Sequence, residues 1–349
     1  MTPISRTLAV GLLAIPTVLV AQQTERFQLT GDRIAIFNLA GSATVEAGSG
    51  SAIVVEVRRG GADAGRLEVE RGSIDGAETL RVRYPGDEVV FRRRDGWSGS
   101  TQVRVRDDGT FGWGHGSEGT RVRIRSSGSG LEAHADLRIL VPRGKRVEVY
   151  LAVGDMSATG VDGTLRLDGS STKVTTSRTS GDLVVDVGSG SVTADGHTGD
   201  FSIDTGSGSV KASNVSGGDL SIDTGSGGVE VSNADVGRLL IDTGSGQVGG
   251  TGLATNDIEV DTGSGSVTMA FTRIPRNINV DTGSGSVELT VPEGLNATVD
   301  LETSSGQIDV DFPVQTRRWE RGELHGTIGS GGGRIRIDTG SGGITIRKA

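Results

Sequence analysis

Asp219 to Gly237 reads DLSIDTGSGGVEVSNADVG, and this 19-residue unit recurs along the second half of the chain. Its signature, Asp-Thr-Gly-Ser-Gly, begins at Asp204, Asp223, Asp242, Asp261, Asp281 and Asp338, with degenerate copies at Asp168, Asp186 and Glu302. From 168 to 302 the copies are 18 to 21 residues apart, a fixed period that marks a repeat array. Within the unit Leu220, Ile222 and Thr224 alternate with Ser221 and Asp223, the period of a half-buried strand. Gly225-Ser226-Gly227 reads as a turn, with glycine supplying a positive φ. Val229 and Val231 form a second strand, and Ser232 to Gly237 a more variable turn that absorbs the changes in period. Two strands and two turns cannot bury a face alone, so the units must stack, each pairing with those above and below. The expected fold is all-β: a single-stranded β-solenoid, or β-helix, of about 19 residues per coil. Eight coils from Asp168 to Glu302 would rise about 40 Å at the strand spacing.

The composition fits a narrow core. The 349 residues include 58 glycines, where an average protein of this length holds about 24. Aromatic residues make up only 3%, and in 151–311 they are Phe201 and Phe271 alone. There is no cysteine, which excludes a disulfide framework, a thiol nucleophile and a cysteine-ligated zinc site. The net charge of −9 is unevenly spread. Residues 151–311 carry 7 basic and 23 acidic side chains, whereas 51–150 carry 18 and 15, and 312–349 carry 7 and 3. An acidic shaft between mildly basic ends repels phosphates, so nucleic acid is not an expected partner.

Residues 1–21 read as a signal peptide: Arg6, then an apolar run from Leu8 that ends at Ala21. The run is short of the roughly 20 residues that span a membrane, and no later one is longer, so no integral span is expected after cleavage. The expected location is outside the cytoplasm, in the periplasm, on the outer surface or extracellular. Residues 22–150 read as irregular β coils with a long loop at 84–119, 151–311 as the regular repeats, and 312–349 as a loop and final coil. Arg347 and Lys348 are expected to blunt an exposed strand edge there.

Three motifs bear on chemistry. An apolar residue followed by Asp-Thr-Gly is the aspartic-protease signature, but that chemistry needs one facing pair of carboxylates, and repeats at coil spacing give a row instead. Asp204, Asp223, Asp242, Asp261 and Asp281 should stand about 5 Å apart. Calcium between coils is one answer to their repulsion; the other is that each accepts a backbone N–H of the turn that follows it. The threonines beside them should form an inward or edge hydroxyl ladder. In the excursion, Arg92, Arg93, Arg94, Trp97 and Trp113 form a possible contact loop for a glycan, a lipid headgroup or a protein. No catalytic residues and no cofactor are expected.

The secretory start, the entry strand with Val141-Pro142-Arg143-Gly144 and the repeated DTGSG-x-V coils resemble a bacterial exported family, a domain of unknown function carrying an adhesin label. The resemblance covers residues 27–349 and implies an envelope-associated β-solenoid without catalytic residues. The expectation is a non-enzymatic adhesion or interaction surface at the cell envelope, with an envelope-stress or signalling module and, behind it, a polysaccharide-acting β-helix enzyme as alternatives. Its partners would be envelope glycans or another envelope protein, and copies could associate through the solenoid ends.

Overall fold

The computed structural model describes residues 24–92, 98–112 and 118–349; the signal peptide expected at 1–21 lies outside them. Among the described residues every element is a strand except one 3-10 turn at Ala64–Arg66. The coils stack in parallel and in register, as the period requires. Leu220–Thr224 pairs with Leu239–Thr243, and Val210–Ser213 with Val229–Ser232. A third short segment also pairs, Val215 with Ala234 and Ser216 with Asp235, where the sequence suggested only a variable turn. The corner before this segment is left-handed, at Asn214 (φ 55°) and Asn233 (φ 53°). Asparagine reaches that conformation more readily than other side chains, which is why it can take a place that glycine holds in neighbouring coils. Inside, Ile203, Ile222, Ile241, Val260, Val280 and Ile337 form one continuous stack. Each such side chain contributes about 1.5–3 kcal/mol by burial.

The glycines of the Gly-Ser-Gly turn serve a purpose other than the expected one. None of Gly208, Gly227, Gly246, Gly265 or Gly285 has a positive φ. A Cβ on any of them would instead overlap the carbonyl oxygen of the equivalent glycine one coil earlier. They are glycines because the coils touch there backbone to backbone.

In chain order the strands before the shaft are β1 (Thr24–Leu29), β2 (Arg33–Ala47), β3 (Ile53–Gly60), β4 (Glu68–Ile74), β5 (Ala77–Arg83), β6 (Glu88–Val90), β7 (Ser100–Val105), β8 (Thr120–Arg125), β9 (Leu131–Glu132), β10 (His134–Val141) and β11 (Lys145–Thr159). β2 stacks along most of its length on β11 and is the first full coil. Beyond β2 the wall divides: one part continues through β5 to β4, the other through β10 and β3 to β1. Antiparallel pairs enter here and end the repeat.

The segment read as a long loop at 84–119 is a correction. It supplies β6 and β7, which join β8 and β9 in a second sheet, in the order β7-β8-β6-β9. This sheet covers the outside of β2 and β11 and encloses a second core. Phe37 stacks on Tyr150 (ring centroids 4.6 Å apart, 9° between planes), with Phe111 edge-on to Phe37 at 5.8 Å. β2 is therefore buried on both faces, Ile34 and Ile36 inward and Ala35 and Phe37 against the second sheet. The alternation of Val103 and Val105 between polar residues carried this signal, but the surrounding arginine, glycine and serine masked it.

The shaft continues with β12 (Asp162–Ser189), β13 (Val192–Thr205), β14 (Val210–Thr224), β15 (Val229–Thr243), β16 (Val248–Thr262), β17 (Val267–Phe271), β18 (Asn277–Thr282), β19 (Val287–Val291), β20 (Ala297–Thr303), β21 (Ile308–Val310), β22 (Val314–Glu320), β23 (Glu323–Ile328), β24 (Gly333–Thr339) and β25 (Ile344–Lys348). Its far end departs from sequence order. β24 lies between β18 and β20, and β25 between β19 and β21, all parallel. The last coil in sequence is thus the penultimate one in space. The outermost coil is formed by β20 and β21, and the β22–β23 hairpin pairs antiparallel along β20. Arg347 and Lys348 do not blunt a terminal edge: Arg347 pairs with Glu288 at 2.8 Å, and the Lys348 ammonium lies 5.6 Å from the Phe312 ring centroid.

Candidate interaction surface

Strand alternation decides which repeat residues reach solvent. In each Asp-Thr-Gly-Ser-Gly copy from 204 to 281 the aspartate is exposed, the threonine buried, the first glycine and the serine exposed, and the last glycine buried. Asp186, Asp204, Asp223, Asp242, Asp261, Asp281, Asp338 and Glu302 stand side by side in register, forming one carboxylate column along the shaft. The exposed serines Ser207, Ser226, Ser245, Ser264 and Ser284 give a parallel row of hydroxyls.

The turn beneath the column is held by threonine. Thr243 Oγ1 donates to the Gly227 carbonyl in the preceding coil (3.2 Å) and accepts the Gly246 N–H of its own turn (3.1 Å). The same pair of bonds recurs at Thr205, Thr224, Thr262, Thr282, Thr339 and Thr303. The inward hydroxyl ladder is present, and it does the turn-closing work that the sequence reading gave to the aspartates. This leaves Asp204, Asp223, Asp242, Asp261 and Asp281 pointing into solvent.

Cations meet the column near its two ends. Arg166 contacts Asp168 (3.1 Å) and Asp186 (2.6 Å). Burial, and then the neighbouring Asp186, raise the Asp168 carboxyl to about 6 despite Arg166. Asp204 is raised by burial and by Asp186 and Asp223; Asp281 is raised by burial and by Asp338 and Asp261, with Arg336 acting in the opposite sense. Asp204 and Asp281 thus hold their charge against burial first and their neighbours second, in a local field suited to cations and to hydroxyl donors.

Among the described residues, no group of three or more His, Asp or Glu side chains is placed to hold a metal ion. The five aspartates named for calcium form a line, each beside its register neighbours in the adjoining coils. Of the contact-loop residues, Arg92 is exposed and 3.8 Å from Glu132; Arg93, Arg94, Trp97 and Trp113 lie outside the described residues. His197, a shaft histidine, faces inward at 1% exposure. Its Nδ1 is 3.0 Å from Thr179 Oγ1 and its Nε2 is 3.2 Å from the Asp200 carbonyl, and burial lowers its pKa. It is a core residue. At the far end His325 Nδ1 lies 3.2 Å from Asp300, which also meets Arg334 at 3.4 Å. Among the described residues, no helix is long and apolar enough to cross a membrane.

The family model of Toastrack DUF4097 matches residues 99–347. No curated protein matches the chain. Among solved structures, the chain is similar to a "putative cell adhesion protein" from Clostridium sporogenes at 10% identity, over 94% of this chain and 99% of that one, with a TM-score of 0.21.

Proposed function

The chain belongs to the Toastrack DUF4097 family, a β-solenoid domain of unknown function, and from that premise we propose that it is an exported, non-enzymatic scaffold that serves as an adhesion or interaction surface at the bacterial cell envelope. The observation that carries this reading is the exposed carboxylate column with its hydroxyl row, repeated coil after coil on a rigid support. A surface of identical, evenly spaced groups suits multivalent attachment: each contact is weak, and their simultaneous engagement makes the whole strong. The partner would be an envelope glycan or an envelope protein presenting hydroxyl or cationic groups at matching intervals. A non-enzymatic role is supported by the sameness of the exposed shaft, where His197 faces the core and the acids occur as a row. Export is supported by the segment at 1–21.

The test is binding of residues 22–349 to envelope fractions and to an immobilised glycan panel, beside a D223N/D242N/D261N variant. Loss of the central charges should lower avidity by about tenfold or more. Equal binding by the two proteins would overturn the assignment to the column.

A further inference from the structure

The shaft repeats; the end formed by β11, β2, β10 and β3 does not. Across these four strands the outward residues Asp155, Ser42, Asp136 and Arg58 fall in one register row. They line a hollow of about 340 Å³, walled on the side of the second sheet by Phe91 and closed by His134. That volume lies within the range of small-ligand sites. Ser42, Asp136 and Arg58 also border a second hollow of about 360 Å³, so the two form one trough across the strands.

Three polar groups of the trough, those of Asp136, Arg58 and His134, keep bonding capacity to spare. Asp136 Oδ1 accepts both the backbone N–H of Ser42 (3.0 Å) and its hydroxyl (2.8 Å), which fixes the carboxylate plane. Its Oδ2 takes no hydrogen bond from the described residues. Arg58 stands directly across from Asp136 in the β10–β3 pair, yet makes no ion pair or hydrogen bond with any described residue. Two residues further along the same face, Arg138 shows the ordinary outcome, bridging Glu46 (2.8 Å) and Glu56 (3.3 Å). His134 is half-buried, its ring 5.3 Å from that of Phe91, and neither ring nitrogen has a hydrogen-bond partner among the described residues. Gly60 makes room for this imidazole, since a Cβ there would overlap the ring. An open carboxylate oxygen, a free guanidinium and an unused imidazole thus converge on one concavity.

We propose that this trough is a binding site for a neutral saccharide. Arg58 and Asp136 face each other across the β10–β3 pair with opposite charges, so together they exert no net attraction on an anion or a cation. A phosphate would meet the Asp136 carboxylate, and an amine the Arg58 guanidinium. Vicinal hydroxyls suit both: a carboxylate accepts two, and a guanidinium donates two in its plane. The groups follow one another at about 4.8 Å, the strand spacing, which is comparable to the length of one sugar ring. Phe91, 8% exposed, adds a small apolar patch to the lining. The site is independent of the carboxylate column and does not rest on the role proposed for it.

Titration calorimetry with maltotriose, cellotriose and tri-N-acetylchitotriose, and with glycylglycine as a zwitterion of similar reach, tests the assignment. At least one of the three saccharides should bind at millimolar concentration or below, with one site per chain. D136N and R58Q should each weaken it by about tenfold or more, the loss expected for a hydrogen bond to a charged group, without moving the thermal midpoint. R58Q changes an exposed side chain without a partner among the described residues, so it reports on binding even if D136N disturbs the fold. The D223N/D242N/D261N variant should bind as the parent does. Failure of all three saccharides to bind, binding unchanged in both groove variants, or glycylglycine binding in place of the saccharides would each overturn the proposal.

Discussion

At the scale of single residues, the bond that ties coil to coil is a threonine hydroxyl. Replacing Thr243 by valine keeps the shape but leaves the Gly227 carbonyl and the Gly246 N–H buried without a partner. The expected cost is about 1–3 kcal/mol for each group stranded, read as a lower urea midpoint at unchanged slope, whereas Thr243→Ser should recover most of it. Glycine gives a sharper contrast. Gly246→Ala should be far more damaging than Gly228→Ala, because the first methyl would overlap the Gly227 carbonyl and the second would meet nothing nearer than 3.6 Å. The sequence already placed these residues at a turn and made the threonine inward or edge. It could not show which atom closes the turn, because aspartate and threonine both make side-chain-to-backbone bonds. The deciding acceptor lies 16 residues back along the chain, in the preceding coil.

At the scale of elements, burial first and neighbouring carboxylates second raise Asp168, Asp204 and Asp281, which ties the stability of the shaft to pH. A carboxyl whose pKa is raised in the folded state binds protons more tightly folded than unfolded. Its contribution to stability is then fully present below the unfolded value near 4 and lost as pH rises through the folded value. For Asp168, at about 6, the window is roughly pH 4 to 6 and the contribution is at most about 3 kcal/mol. Asp168→Asn should therefore raise the melting midpoint relative to the parent at pH 7 and lose that advantage at pH 4; a difference independent of pH would refute this. Glu148, held below the ordinary range by Arg33 and the Tyr150 hydroxyl against the effect of its burial, acts in the opposite sense. Stability that depends on it is lost as pH falls. The second sheet is a separate element with its own core, and Phe111→Ala should cost about 3–5 kcal/mol while leaving shaft variants such as T243V additive to it. Here the sequence was harder to read. Nothing in the period-19 region announces an outer layer, and the clue was indirect: Phe37 and Tyr150 are bulky aromatics on strands of a solenoid whose other coils have almost none.

At the scale of the whole molecule, the period near 19 made the shaft legible from Asp168 to Glu302, because every coil repeats the same environment. The order of coils was not legible at the end, where nothing in the copies at Asp281, Glu302 and Asp338 ranks them and only tertiary pairing does. The saccharide trough was invisible for a related reason: Ser42, Arg58, Asp136 and Asp155 are far apart in sequence and belong to no repeat. Removing residues 333–349 takes out an interior coil rather than a cap. Limited proteolysis of such a truncated chain should cut readily between 292 and 332 while the shaft before 291 stays protected; resistance equal to the parent would show that the insert is dispensable. Synthesis adds a consequence in time. The coil of β20 and β21 leaves the ribosome before the residues that must come to lie between it and β18–β19. The two earlier coils present matching ladders to each other, so β24 and β25 have to arrive before those ladders close or else displace them. A nascent chain stopped short of 333 lacks the strands that belong between these ladders, so it either keeps unsealed strand edges or closes them on each other in the wrong order.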